Sequence, residues 1–270
     1  MREMRAVPPR QQPTKPALPS FDVDLRITGR TAAVAAGTAG LGFASAKALT
    51  EAGVRVVVCG RSRDRLDAAL AKLGENAIGV ECDVSTADGA AMFIDLARER
   101  LGHVDILVAN GGGPKPGNFS ALRTDDYLPA LQQSLLSVVA MCEATVPSMR
   151  ERKWGRVVAI TSISVRQPIP NLMLSNTARA GVTGFLKTLA REVAADGVTV
   201  NSVQPGIHAT DRVTQLYGSS PNAAQLNIPA GFVGDPMDFG NVVAFLCGEP
   251  AKFITGAHVP VDGGSYAGLL

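Results

Sequence analysis

The 270 residues carry 46% apolar side chains, 5% aromatic side chains and a net charge of +2, with acids and bases mixed along the chain. That composition supports one sizeable buried core. It lacks the basic stripe of a nucleic-acid binder and any apolar run long enough to span a bilayer, so no nucleic acid and no membrane are expected as partners. The four cysteines, Cys59, Cys82, Cys142 and Cys247, are far apart, with no zinc or redox spacing. They read as buried free thiols in a reducing compartment, which predicts a cytoplasmic location.

Residues 1–20 are proline-rich, with Arg2, Arg5, Arg10 and Lys15 among them. Repeated proline disfavours helix, and no apolar signal region is present. A flexible tail is expected there, with one domain over residues 21–270. From Thr31 onward, strand-like and helix-like patterns alternate. Strands are expected at Thr31–Ala36, Val54–Cys59, Ala77–Val80, Val104–Ala109, Val157–Thr161, Val198–Val203 and His258–Val261. Helices are expected at Leu41–Ala52, Arg63–Leu73, Ala87–Leu101, Tyr127–Arg150, Leu172–Ala194 and Pro236–Cys247. Continuous apolar strands between helices mean a parallel sheet covered on both faces. The fold class is therefore α/β, a single doubly wound Rossmann-type domain with a seven-stranded parallel sheet. Gln204–Gly234, with its glycines and prolines, reads as a long functional loop.

The first strand runs into Thr31–Gly42, TAAVAAGTAGLG. A glycine turn between strand and helix lets backbone N–H groups approach a pyrophosphate, which predicts contacts at Gly37, Thr38, Gly40, Leu41 and Gly42. The second strand ends Cys59-Gly60-Arg61. A glycine stands where a carboxylate would bond a ribose 2′-hydroxyl, and Arg61 follows, with Arg63 and Arg65 near. A guanidinium there suits a 2′-phosphate, so NADP(H) is expected over NAD(H). Further along stand Asp83-Val84, Leu107-Val108-Ala109-Asn110-Gly111-Gly112, Asn201-Ser-Val-Gln-Pro205-Gly206-Ile-His-Ala-Thr210 and Val261-Asp262-Gly263-Gly264. In this order they resemble the motifs of the short-chain dehydrogenase/reductase family over about residues 25–265. The resemblance implies that Asp83 and Val84 border the adenine and that Asn110 steadies the sheet. It also implies that Pro205, Gly206 and Thr210 meet the nicotinamide.

The same resemblance sets a catalytic frame at residues 155–181. The family carries a serine at the end of a strand, a tyrosine thirteen residues on, a lysine four further, and an asparagine on the preceding long helix. Here these places fall on Ser162, Ser175, Arg179 and Ser134. Residues i and i+4 share a helix face, so Ser175 and Arg179 are expected to point together into the cleft. Arginine stays charged and can hold a ribose; a serine hydroxyl is a far weaker acid than a phenol. His208 and Tyr217 are the substitute proton donors considered.

The reading is an NADP(H)-dependent reductase of the 3-oxoacyl-carrier-protein-reductase-like branch, with an atypical proton donor and a small apolar carbonyl substrate. Two alternatives stand beside it: a non-redox lyase, cyclase or epimerase on the same scaffold, and an inactive binding subunit. Ile207, Leu216, Leu226 and Ile228 are expected to line the substrate pocket, and the two long helices to form a homodimer or homotetramer interface.

Overall fold

Every residue of Thr31–Val34 is buried, which only a strand covered on both faces can be. This strand, β1, is central in a computed structural model that describes residues 23–218 and 222–269. The tail over residues 1–20 lies outside the described residues, and so do the side chains of Leu216 and Tyr217. The other strands are β2 (Arg55–Gly60), β3 (Ala77–Glu81), β4 (Ile106–Ala109), β5 (Gly155–Ile160), β6 (Val198–Pro205) and β7 (His258–Val261). All pair in parallel, in the order β3-β2-β1-β4-β5-β6-β7. The chain turns from one half of the sheet to the other between β1 and β4. Such a switch point opens a crevice at the carboxyl ends of the strands.

The helices are α1 (Gly40–Glu51), α2 (Arg63–Leu73), α3 (Ala87–Leu101), α4 (Tyr127–Leu131), α5 (Ser137–Glu151), α6 (Met173–Val193), α7 (Asp211–Tyr217) and α8 (Pro236–Cys247). One face of the sheet packs against α3, α5 and α6 through Phe93, Ile94, Met141, Met149, Val182 and Leu186. The other packs against α1 and α8 through Ala46, Leu49, Phe239 and Val243. Side-chain caps start α2 and α3: Ser62 accepts from the Arg65 N–H and Thr86 from the Gly89 N–H.

Two expectations are corrected. The helix expected over Tyr127–Arg150 is broken by a π turn at Gln132–Leu136. The loop expected over Gln204–Gly234 contains α7, a short helix after Thr210. All four cysteines are buried and free. Among the described residues no helix is long and apolar enough to cross a membrane.

The α1–α8 contact depends on Gly240. A β-carbon there would collide with the backbone carbonyl of Ala44. Gly240→Ala is expected to lower stability by about 1–3 kcal/mol despite alanine's better helix propensity. A urea midpoint equal to that of the parent would contradict this close contact.

Candidate active site

The turn from β1 to α1 is built around missing β-carbons. One on Gly37 would lie 2.8 Å from Val58 Cγ1; one on Gly42 would lie 2.5 Å from the Ala36 carbonyl oxygen and 2.6 Å from Asn110 Nδ2. Asn110 uses that approach. Its Nδ2 donates to the carbonyls of Ala35 (3.2 Å) and Ala36 (3.3 Å), tying the end of β4 to the turn. Ala36 itself is left-handed, with φ of 49°, a conformation that costs an L-residue roughly 1–2 kcal/mol. Cys59 supports it from below: its Sγ accepts from the Ala36 N–H at 3.3 Å, and burial pushes the thiol up to about 12.

Helix α1 begins without a side-chain cap: Ala39 offers no oxygen, and no acid stands in the first turn. Its N-terminus therefore keeps an uncompensated positive end with orphan N–H groups, suited to an anion. Leu41 anchors this turn against the α1–α8 core. Thr210 comes to the same place, its methyl carbon 3.5 Å from where a Gly40 β-carbon would be. A β-carbon on Gly60 would lie 2.5 Å from the Thr38 methyl, so the end of β2 has no room for an acidic side chain in this arrangement. Arg61 beyond it is exposed, its guanidinium 3.9 Å from Asp83 Oδ2. Asp83 Oδ1 accepts from the Ser85 N–H, and Val84 is buried beside it. Gly37, Thr38, Gly40, Leu41, Gly42, Arg61, Asp83, Val84, Asn110 and Thr210 thus gather along the carboxyl ends of β1–β4 and the approach to α7.

The second half of the crevice lies at the ends of β5 and β6. Ser162 caps a 3-10 turn, Ile163–Val165, and its Oγ accepts from the Ser164 N–H at 3.0 Å. Its own hydrogen is left to donate. Ser175 and Arg179 stand one turn apart on α6, and Arg179 Nη1 donates to the Ile160 carbonyl at 3.1 Å, at the mouth of β5. The π turn places Ser134 against α6, buried and with no hydrogen-bond partner for its Oγ. Pro205 and Gly206 leave β6 beside Val261, whose carbonyl accepts from the Gly206 N–H at 2.9 Å.

His208 is placed differently from the serines. It is buried, bridges to Gly234, and sets its ring edge-on to Phe239 of α8 with centroids 5.2 Å apart. Nδ1 lies 3.3 Å from the Gly206 carbonyl. The ring lines a pocket of about 180 Å³ with Ile207, Ile228, Phe232, Asp235, Asp238 and Asp262. Burial holds its pKa below the ordinary imidazole range, against the pull of the Gly206 carbonyl and the three aspartates. Gln204, expected to open the long loop, belongs instead to β6 and is fully buried with an unpartnered carboxamide. Its signal was a long polar side chain inside an otherwise buried strand. No cluster of metal-ligating groups occurs among the described residues.

Known proteins resemble the chain over most of its length. Residues 35–266 match the family model described as enoyl-(acyl carrier protein) reductase. The chain is 33% identical over 238 residues to the 3-oxoacyl-(acyl-carrier-protein) reductase of Haemophilus influenzae, covering 88% of this chain and 98% of that one. It therefore belongs to the short-chain dehydrogenase/reductase family. Among solved structures it resembles an NADPH-bound short-chain oxidoreductase from Pseudomonas aeruginosa PAO1 described as containing an atypical catalytic center. There the TM-score is 0.82 at 28% identity, over 88% of this chain and 97% of that one. It also resembles L-sorbose reductase from Gluconobacter frateurii, complexed with NADPH and L-sorbose, with a TM-score of 0.83 at 27% identity over 91% and 100%.

His208 and His258 both have pKa values lowered chiefly by burial. The unfolded chain then binds protons more readily than the folded one below the ordinary imidazole range. Stability contributed by the neutral rings is present at neutral pH and is lost as pH falls toward their folded pKa values. The urea midpoint is expected to drop between pH 7.5 and pH 5.5, and His208→Leu to shrink that drop. An equal drop in both proteins would show that His208 does not titrate as described.

Proposed function

We propose that this protein is an NADP(H)-dependent reductase of a small apolar carbonyl compound, working in the reverse direction on the corresponding alcohol. The observation that carries this reading is the first half of the crevice: a glycine turn with no room for β-carbons, feeding an uncapped helix. The residues present fit the cofactor. The α1 N-terminus suits its pyrophosphate, and the β2 end, with Gly60 filled by the Thr38 methyl and Arg61 free to swing from a long 3.9 Å contact, suits a 2′-phosphate. Asp83 and Val84 would border the adenine, and Pro205, Gly206 and Thr210 the nicotinamide. When bound, the cofactor supplies the hydride.

The protein's own part is positioning and proton supply. We assign the four catalytic places of the family to Ser134, Ser162, Ser175 and Arg179. Ser162 donates its free hydrogen to the substrate oxygen, where negative charge develops. Arg179, steered by the Ile160 carbonyl, stands where it can hold the ribose and favours that charge without itself giving up a proton. No phenol stands at Ser175, so the proton reaches the oxygen through serine hydroxyls replenished from water, with His208 as the reserve donor behind Gly206. Lacking a matched general acid costs about 10²–10⁴-fold in rate, so a slow enzyme is expected, not an inert one. The P. aeruginosa oxidoreductase described as containing an atypical catalytic center offers a parallel.

The groove between α5 and α6, about 430 Å³ and lined by Cys142, Val146, Pro147, Phe185 and Leu189 among others, supports self-association as a homodimer or homotetramer.

Arg61→Ala is expected to weaken NADPH binding roughly tenfold while leaving NADH binding almost unchanged. Fluorescence titration with both nucleotides reads this directly. Equal losses for both, or tighter binding of NADH by the parent, would remove the 2′-phosphate assignment. Ser162→Ala should lower kcat about 10²-fold or more with little effect on the NADPH dissociation constant.

A further inference from the structure

Gln204 is 0% exposed, and both polar atoms of its carboxamide lack a hydrogen-bond partner. A buried amide left unpaired on both sides is costly, and in a native protein it calls for a reason. Gln204 sits at the end of β6, one residue before the turn at Pro205–Gly206. The preceding residue, Val203, pairs with Ile160, and its carbonyl accepts from both the Thr161 N–H (2.9 Å) and the Thr161 hydroxyl (3.3 Å). Gln204 therefore stands beside Thr161 and Ser162 on the next strand. Its face follows from alternation: Val198 and Val200 share the core that holds Val182 and Leu186 of α6, so Gln204 points to the α6 side as well.

A second orphan lies on the turn that follows β5. Ser164 is 2% exposed with an unpartnered Oγ, and it belongs to the 3-10 turn Ile163–Val165 that packs against α6. What holds that turn is the Ser162 hydroxyl, which accepts from the Ser164 N–H. The unpaired amide and the unpaired hydroxyl are thus at the ends of adjacent strands, and Ser162, the proposed donor to substrate, begins the turn that carries Ser164.

We propose that Gln204 and Ser164 are positioning residues that pair with each other when NADP(H) seats beside Ser162. As the ligand seats at the ends of β5 and β6, the Ser164 hydroxyl turns onto the Gln204 carboxamide. In the free protein all three polar atoms lack partners; in the loaded protein the hydroxyl and one of the two amide atoms pair, and that difference is returned as affinity. The new bond then fixes the turn that carries Ser162. This inference rests on the cofactor reading above, and it concerns binding and position, not turnover.

The test measures thermal midpoints and NADPH dissociation constants of the parent protein, Gln204→Leu, Ser164→Ala and the double variant. Gln204→Met stands in should Gln204→Leu fail to fold. The expected result is a free protein about 2–4 °C more stable in Gln204→Leu, because two buried orphans are gone. NADPH binding should be weaker by about 3–10-fold in each single variant, with the double variant no weaker than either single one. Unchanged affinity in the single variants, losses that multiply in the double, or a less stable free protein in both Gln204→Leu and Gln204→Met would each overturn the pairing. The parent's own titration separates the two levels: no NADPH binding there removes the cofactor reading itself, whereas binding by the parent with insensitive variants removes only the Gln204–Ser164 pair.

Discussion

The approach of α1 to the sheet at Gly37 and Gly42 is the contact on which the rest of the crevice depends. Neither position has space for one more carbon. The result is a helix start pressed against the carboxyl ends of β1 and β4 and locked by the Asn110 amide on two backbone carbonyls. From that fixed point follow the position of Gly40 against Thr210 and the alignment of the α1 dipole with the crevice. The strained Ala36 is retained because the surrounding bonds, including the unusual thiol acceptor Cys59, over-determine it.

The two halves of the crevice are built on different physics. The half proposed for the cofactor rests first on backbone: turns, an uncapped helix end and glycines without room for side chains, with Arg61, Asp83 and Thr210 at its border. The half proposed for catalysis is side chains: three serines and an arginine on the β5 end, the π turn and α6. Backbone machinery of the first kind is unaffected by loss of a phenol, since none of its contacts involve one. A chain can therefore keep nucleotide affinity while its proton chemistry changes, and the retention of Arg179 against the Ile160 carbonyl fits that division.

Most of the fold was legible. Buried parallel strands such as Val54–Cys59 and Val157–Thr161 have to be apolar on both faces, so they stand out as continuous runs, and the intervening helices show their period. What stayed hidden had local causes. The π turn at Gln132–Leu136 adds one residue to a helical turn without changing its composition, so no periodicity marks it. Helix α7, Asp211–Tyr217, is too short and too closely flanked by glycine and proline to stand apart from a loop. The close-packed glycine turn was readable because a strand that runs into glycines and then into a helix marks it in the sequence. The burial of His208 against Phe239 was not readable, because the motif around it fixes the backbone turn and says nothing of which way the imidazole leaves it. Gln204 escaped for a different cause: the strand was read to end at Val203 with Gln204 opening the loop, and its burial shows only because β6 runs on to Pro205.

The central claim is that hydride moves here although no phenol stands at Ser175. The most direct measurement is to incubate the protein with NADPH deuterated at the transferring position of the nicotinamide and a panel of apolar ketones, and to analyse the alcohols by mass spectrometry. The account predicts an alcohol carrying one deuterium on its carbinol carbon, formed slowly and absent with Ser162→Ala. NADPH bound by the protein with no deuterated alcohol from any ketone would contradict it.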